Sequence, residues 1–184
     1  FPPLGYPVPY GPLEESPEPG LKPAGVPLAF GAACEAIELE RDAATLRLKT
    51  GEVVRTRLLV LADGGANARH IPGIAYEEKD YGQVAVTASV RTDRPHGARA
   101  YERFTPSGPV ALLPVADRHA LVWTATPVEA ARLIALPEAE FLAELQAYFG
   151  DRAGTFVAAG ARASFPLRLR TVNTPVALRT VLVG

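Results

Sequence analysis

The chain has 184 residues, of which 48% are hydrophobic, and its formal net charge is -1. That length can bury one sizeable core or two small ones, and the balanced charge gives no electrostatic reason to expect a nucleic-acid partner. No apolar run approaches the roughly 20 residues that span a bilayer, and the first residues lack the features of a signal peptide, so the cytoplasm is the expected location.

Cysteine and histidine are too sparse to build a disulfide framework or a metal centre. The single cysteine, Cys34, excludes an internal disulfide. The three histidines have no Cys or carboxylate neighbours at ligand spacing, so we predict no metal site. We expect Cys34 to be a small buried apolar residue rather than a reactive thiol.

Residues 1–24 form a segment rich in proline and glycine. Proline has no backbone N–H and is excluded from helix interiors and central strands. This segment is therefore predicted to be extended or irregular.

Residues 26–63 contain two short alternations of apolar and charged side chains. Ile37 and Leu39 alternate with glutamates, and Leu46 and Leu48 alternate with basic residues. Strands with one packed and one solvated face are typical of antiparallel sheets. We predict a strand meander in this region.

The most informative stretch is an apolar run over residues 58–62 that ends at Asp63, Gly64 and Gly65. The run is too short for most helices and suits a strand buried on both faces. Ligands of α/β sheets bind outside the carboxyl ends of strands, and glycines let a backbone approach a phosphate or ribose without a clashing Cβ. Two interpretations remain, a nucleotide-binding turn and an ordinary Asp-Gly turn after a core strand.

A single antiparallel sheet is predicted in the middle of the chain, because turn residues separate runs of strand-forming residues at regular spacing. The four predicted strands are residues 83–91, 98–105, 110–115 and 119–124.

Helices are predicted after this sheet. Thr126 and Glu129 form a capping box with Pro127 at the first helical position, and apolar residues recur at helical spacing as far as Gly150. These helices would cover the sheet, and their aromatic side chains are assigned to the core. Further strands are predicted at residues 156–157, 163–169 and 179–183.

Several segments carry a resemblance to a known family. The run over residues 59–69 resembles the Asp-Gly motif of flavin-dependent aromatic hydroxylases of the para-hydroxybenzoate hydroxylase class. The similarity is strongest to the ubiquinone-biosynthesis hydroxylases, in particular to 2-polyprenyl-6-methoxyphenol hydroxylases. The segments that are similar to these enzymes are residues 80–83, 98–105, 108–114, 121–123 and 149–154.

The resemblance implies an α+β chain that is a central fragment of an α/β FAD-binding fold. The glycine-rich turn that opens the family, and its second Asp-containing flavin motif, do not occur in this sequence. Residues 1–24 would be the irregular segment, and residues 25–75 with 171–184 would be part of the FAD-binding domain. Residues 76–170 would be the substrate-binding sheet and its helices.

The resemblance also implies candidate site residues, although none is identified as catalytic. Asp63, Gly64 and Cys34 would lie on the cofactor side, with the contact near Cys34 made through the backbone. The candidates on the substrate side are Tyr101, Arg103, Leu112, Pro114 and Trp123. Arg103 has two interpretations, a pocket residue that orients a phenolate and an arginine on a solvent face.

The activity implied by the resemblance is hydroxylation of a polyprenyl phenol with FAD, NAD(P)H and dioxygen. The chain by itself is expected to be inactive, because the missing motifs supply most of the donors of a tight dinucleotide site. The resemblance allows peripheral association with the inner membrane or with a ubiquinone-biosynthesis complex, and a sheet face left uncovered favours self-association.

Two alternatives to an enzyme remain open from the sequence. One is a stand-alone binding module for an apolar or quinone-like ligand, and the other is a folded structural protein without a ligand. Binding of flavin would favour the enzyme over both.

Overall fold

In the computed structural model, residues 5–9, 11, 13, 21 and 23–183 are described. Residues 5–9 have no helix or strand, whereas Gly11, Leu13 and Leu21 are helical, so the prediction of an irregular segment was wrong at these three positions. The Leu13 N–H donates to the Pro9 carbonyl at 3.3 Å. A short helical turn can follow a proline, because proline is tolerated in the first turn of a helix. The rest of the prediction for residues 1–24 lies outside the described residues.

Strands dominate the remainder of the described chain, with two α-helices between the eighth and ninth strands. The elements in chain order are β1 (Cys34–Leu39), β2 (Ala44–Leu48), β3 (Val53–Thr56), β4 (Leu59–Leu61), a 3-10 helix (Ala68–His70), β5 (Tyr76–Thr92), β6 (Tyr101–Thr105), β7 (Gly108–Val115), β8 (Arg118–Ala125), α1 (Pro127–Ala135), α2 (Glu138–Phe149), β9 (Phe156–Val172), β10 (Val176–Ala177) and β11 (Thr180–Leu182).

The chain divides into two compact units. The first comprises Asp80–Arg168 with the described part of residues 1–20, and the second comprises Leu21–Lys79 and Leu169–Gly184. Strands β5 and β9 contribute residues to both units. The assignment of a cofactor role to one region and a substrate role to the other stays a prediction.

The second unit contains the predicted meander. Strands β1, β2 and β3 form an antiparallel sheet in that order. Strand β4 pairs in parallel with β11, which pairs in turn with β10. Ile37, Leu59 and Leu61 belong to one buried cluster of this unit. Val60 is 52% exposed, so the expectation that β4 is buried on both faces was wrong, because the described core covers only one face of this strand.

The first unit is built on a five-stranded sheet in the order β6-β7-β8-β5-β9. The prediction of one antiparallel sheet is confirmed for the pairs β6-β7, β7-β8 and β5-β8. The two short strands predicted after the helices are instead one strand of 17 residues, β9. The α+β fold class is thereby confirmed.

Helices α1 and α2 pack on one face of this sheet. The Thr126 hydroxyl accepts a hydrogen bond from the Glu129 N–H at 3.2 Å, and Pro127 occupies the first helical position, so α1 begins where the capping box predicts. Leu133 of α1 and Phe141 of α2 are fully buried in the same cluster as sheet residues. The helices therefore close the hydrophobic core of the first unit.

Side chains alternate between the two faces of the sheet. On the helix-covered face, Val86, Val110 and Leu121 are 0–1% exposed. On the opposite face, which we call the open face, Thr87 and Val122 are half-buried. One face is thus a core, while the other is partly accessible.

Arg162 of β9 fastens the end of α1 to the sheet. Its guanidinium donates to the carbonyls of Leu133 and Leu136 at 3.0 and 2.6 Å and lies 4.8 Å from the centre of the Phe141 ring. The last carbonyls of a helix have no partner within the helix, so an arginine in this position satisfies them.

His119 of β8 is a buried polar residue on the helix-covered face. It is 1% exposed, and neither ring nitrogen has a hydrogen-bond partner among the described residues. The ring of His96 packs against it edge-on at 5.5 Å. Burial, with a smaller contribution from His96, lowers the pKa of His119. The neutral imidazole is therefore the form that the fold accommodates.

This burial makes stability depend on pH. Because the folded-state pKa of His119 is lower than its unfolded value of about 6.5, we expect the free energy of unfolding to fall as the pH drops below that value. His119→Phe removes the titrating group and should flatten this dependence, without loss of stability at neutral pH. Urea unfolding between pH 7 and pH 5, with His70→Phe as the control, measures the slope. An unchanged slope in His119→Phe would contradict the assignment.

Candidate cofactor turn and ligand groove

The chain turns sharply after β4, and the Asp63 side chain closes this turn. One carboxylate oxygen accepts the Gly65 N–H at 2.9 Å. The other accepts the Asn67 N–H at 2.9 Å and the Asn67 side-chain amide at 2.7 Å. We call residues 63–67 the cofactor turn. Three donors on one carboxylate fix its orientation at the C-terminal end of β4.

The same hydrogen bonds keep Asp63 ionised. Partial burial acts to raise the pKa of Asp63, but the hydrogen bonds from Asn67 and Gly65 outweigh it and hold the pKa below its ordinary value. Asp63 itself is exposed. The turn therefore presents a negatively charged acceptor, which suits ligand hydroxyl groups and repels phosphate.

The two glycines of the turn have different surroundings. Both have positive φ, 64° at Gly64 and 84° at Gly65. A Cβ placed on Gly64 would meet no heavy atom within 4 Å, and no described residue accepts the Gly64 N–H. A Cβ on Gly65 would overlap the phenol of Tyr76. Gly64 is thus open to a ligand, whereas Gly65 is closed by packing.

Cys34 lies close enough to this turn for the charge of Asp63 to act on its thiol, and its contact with a cofactor stays a prediction. It is half-buried and begins β1, an edge strand, where the pairing with β2 shifts register between Cys34 and Ala36. Such bulges are frequent beside functional sites. Burial and, to a smaller extent, the charge of Asp63 raise the pKa of the Cys34 thiol. A raised pKa lowers the thiolate fraction at neutral pH. The expectation that Cys34 is buried was wrong, because this end of the edge strand β1 leaves it half-buried.

These groups fit a dinucleotide cofactor. The turn offers a free backbone N–H, a charged acceptor for ribose or ribityl hydroxyls, and open space beside Gly64. The irregular edge of β1 at Cys34 adds backbone groups close to the turn.

The first unit holds a separate groove of about 720 Å³ on the open face of its sheet. Its floor is formed by β5, β7 and β8, and Pro7, Val8 and Pro9 line one side. Thr87 and Ser89 add hydroxyl groups to an otherwise aliphatic lining, and Asp117 and Arg118 stand at one end. Such a groove fits an apolar ligand with a few polar groups.

The predicted substrate residues all lie on the other face. Tyr101 pairs with Leu112, and Arg103 pairs with Val110, which places these side chains on the helix-covered face. Leu112 is 0% exposed and lies in the core beneath the helices. Trp123 is 4% exposed, but it also lines a pocket of about 510 Å³ beside α1 and α2. Pro114 follows Leu112 by two residues and shares its face. Their role in substrate binding stays a prediction.

Arg103 has a more accessible position than these core residues. It lines a pocket of about 340 Å³ with Tyr101, Phe149 and Arg152 beside the end of α2. A helix C-terminus carries partial negative charge, which stabilises a cation there. The end of α2 can therefore stabilise the positive charge of Arg103 even without the predicted contact with a phenolate.

Residues that the sequence analysis did not single out complete both sites. Asn67 is one, and its position four residues after Asp63 suits a local side-chain hydrogen bond. Tyr76 lies too far along the chain for a local pattern to indicate it. The open-face hydroxyls of Thr87 and Ser89 could have been found, because they alternate with the apolar residues of the segment 86–90.

The described residues show neither a metal centre nor a membrane-spanning helix. Among them, no three His, Cys, Asp or Glu side chains come together as metal ligands. No helix in this part of the chain is long and apolar enough to cross a membrane.

Comparison with curated proteins finds hydroxylases. Ubiquinone hydroxylase UbiL of Rhodospirillum rubrum is 39% identical over 167 residues, which are 90% of this chain and 39% of that protein. The 3-demethoxyubiquinol 3-hydroxylase of Escherichia coli is 36% identical over 153 residues, which are 81% of this chain and 38% of that protein. The predicted resemblance to ubiquinone-biosynthesis hydroxylases is confirmed. The chain spans about two fifths of the length of these relatives.

Solved structures show the same fold. HpxO of Klebsiella pneumoniae, crystallised with FAD and uric acid, matches with a TM-score of 0.66 and 18% identity over 96% of this chain and 47% of that one. No family model matches the chain.

The cofactor turn makes a prediction that does not depend on a ligand. Asn67→Ala removes the side-chain amide, one of the three donors to Asp63, and leaves the backbone N–H in place, so the Asp63 pKa should rise part of the way toward its ordinary value of about 3.9. A depressed carboxyl pKa stabilises the fold above the unfolded-state pKa, and this stabilisation is lost as the pH falls through the folded-state pKa.

NMR titration of the Asp63 carboxyl carbon measures the shift. The matched control is Asn173→Ala, because the Asn173 amide donates to Glu77 elsewhere in the same unit. Equal Asp63 pKa values in wild type and Asn67→Ala would show that the side-chain hydrogen bond from Asn67 does not help to hold the charge.

Proposed function

We propose that this chain is part of an FAD-dependent monooxygenase that hydroxylates the ring of a polyprenyl phenol in ubiquinone biosynthesis. The observation that carries the proposal is the cofactor turn, whose ionised Asp63 and open Gly64 suit a flavin dinucleotide. Relatives named as ubiquinone hydroxylases support the substrate class.

The residues proposed to hold FAD all belong to the second unit. Asp63 accepts a hydroxyl of the cofactor, Gly64 donates its N–H, and the backbone near Cys34 forms a further contact. FAD, when bound, supplies the chemistry that activates oxygen. The protein binds and orients the cofactor and keeps Asp63 charged.

The open-face groove is the proposed site of the phenol and its tail. An aliphatic floor stabilises a polyprenyl chain by burial from water, at about 25 cal/mol for each Å² of apolar area removed. Thr87 and Ser89 can bond a ring oxygen. The chemistry of the lining thus matches a ligand with a polar ring and a long apolar tail.

Other parts of the proposal rest on the sequence resemblance alone. These are NAD(P)H as the electron donor, dioxygen as the second substrate, and peripheral association with a membrane or with a biosynthetic complex. Self-association of the chain also stays a prediction. The five substrate residues predicted from the sequence remain candidates. Substitutions on their face of the sheet are to be compared with substitutions on the open face.

A second candidate function is a binding module for an apolar or quinone-like ligand. The observation that favours it is the groove itself, because its aliphatic lining needs no cofactor to bind such a ligand. Flavin binding separates the two candidates.

The protein at its full natural length should bind FAD, and Asp63→Ala should weaken that binding about tenfold or more, the effect of losing about 1.4 kcal/mol. Asp42→Ala is the matched control, because Asp42 is an exposed carboxylate of the same unit that pairs with Arg55. FAD dissociation constants from flavin fluorescence measure the effect. A wild-type protein that binds an apolar probe but no FAD would favour the binding module.

The two faces of the sheet can be compared by substitution in the same protein. Val122→Gln places a polar group on the open face, and it should raise the KM for the phenol about tenfold while FAD content is unchanged. Val128→Gln is the control, because Val128 is 82% exposed on α1. Arg103→Ala tests the prediction from the sequence by the same assay. A large effect of Arg103→Ala together with none of Val122→Gln would place the substrate on the helix-covered side.

A further inference from the structure

Arg170, near the end of β9, reaches the cofactor turn. Its guanidinium donates to one Glu78 carboxylate oxygen at 2.8 and 3.2 Å. A different nitrogen of the same group donates to the Gly64 carbonyl at 3.4 Å. All three residues belong to the second unit. One planar cation therefore joins β5, β9 and the turn.

Tyr76 contacts both Arg170 and the cofactor turn. The Arg170 guanidinium lies 5.6 Å from the centre of the Tyr76 ring, a distance typical of cation–π contacts. The phenol of the same ring occupies the space in which a Cβ of Gly65 would lie. Arg170 thus touches the turn directly through Gly64 and indirectly through Tyr76.

The turn needs such external support. Gly64 and Gly65 are both glycines at positive φ, and glycine has little conformational preference of its own. The peptide between them is held at one end by the bond from the Gly65 N–H to Asp63 and at the other by the bond from Arg170 to the Gly64 carbonyl. If Arg170 is lost, the Gly64 carbonyl loses this hydrogen bond, and the peptide keeps only the bond to Asp63 and the packing of Tyr76 against Gly65.

We propose that Arg170, clamped between Glu78 and the Tyr76 ring, is a positioning residue that fixes the Gly64–Gly65 peptide of the cofactor turn for flavin binding. The inference rests on the proposed function. Arg170 acts through the turn, and no contact of its own with FAD is required. Lysine cannot replace it fully, because a single ammonium cannot bond Glu78 through a fork, reach the Gly64 carbonyl and stack on a ring simultaneously.

The test measures FAD dissociation constants and melting temperatures of the protein at its full natural length. Arg170→Ala should weaken FAD binding about tenfold, whereas Arg170→Lys should retain part of the affinity and weaken it about threefold. Arg55→Ala is the matched control, because Arg55 forms exposed ion pairs with Glu40 and Asp42 in the same unit. The control should leave FAD affinity unchanged.

Two further readouts separate positioning from general destabilisation. First, Tyr76→Ala combined with Arg170→Ala should cost no more affinity than the larger single effect, because both residues act through one turn. Second, a loosened turn weakens the hydrogen bonds to Asp63 and raises its pKa, so the acid limit of FAD binding should move to higher pH in Arg170→Ala. General destabilisation, seen as a lower melting temperature, would change neither the additivity of the double variant nor the acid limit of FAD binding.

Each outcome has a definite meaning. A wild-type protein that binds no FAD overturns the proposed function and this inference with it. FAD binding that depends on Asp63 but not on Arg170 leaves the proposed function intact and overturns the inference. Strictly additive losses in the double variant also overturn it. Should Arg170→Ala fail to fold, Arg170→Lys decides, because an affinity equal to that of wild type would exclude the positioning role.

Discussion

The carboxylate of Asp63 is the group on which the candidate cofactor site depends. Two successive glycines leave the backbone without a preferred conformation, and the three hydrogen bonds that Asp63 accepts supply the missing restraint. The same bonds keep the side chain charged, so one interaction sets both the shape and the electrostatics of the turn. The proposed roles of Cys34 and Gly64 in holding a cofactor both depend on this turn having a fixed conformation.

In the first unit, the open-face groove lies where it does because helices α1 and α2 cover only the opposite face of the sheet. Helices α1 and α2 bury one face, and the residues there are large and apolar. The other face carries smaller side chains and remains accessible. Among the described residues, the two faces of this sheet thus separate the side chains that form the core from those proposed to meet a ligand.

Much of this architecture could be predicted from the sequence, but the facing of the strands could not. The capping box at Thr126 and the apolar run before Asp63 are local signals, and each marks its element correctly. The family resemblance and the strand alternation make Leu112 and Trp123 substrate candidates, whereas the register of β7 and β8 turns both side chains toward the helices. The alternation of side chains along a strand shows which residues share a face, but it does not show which of the two faces the helices cover. Arg170 cannot be found from the sequence, because it contacts Gly64 across 106 residues of chain. Tyr76 is nearer in the chain, but no local pattern links it to Gly65.

The half-buried position of Cys34 beside a fixed negative charge makes it a natural reporter. It is the sole thiol in the 184 residues, so an alkylating reagent modifies a single known place. Because burial and Asp63 together disfavour the thiolate, alkylation in the unliganded protein proceeds slowly at neutral pH. Neutralising or removing the Asp63 charge would speed the reaction. The rate of this labelling reaction thus reports the electrostatic state of the turn without a bound flavin or an assay of turnover.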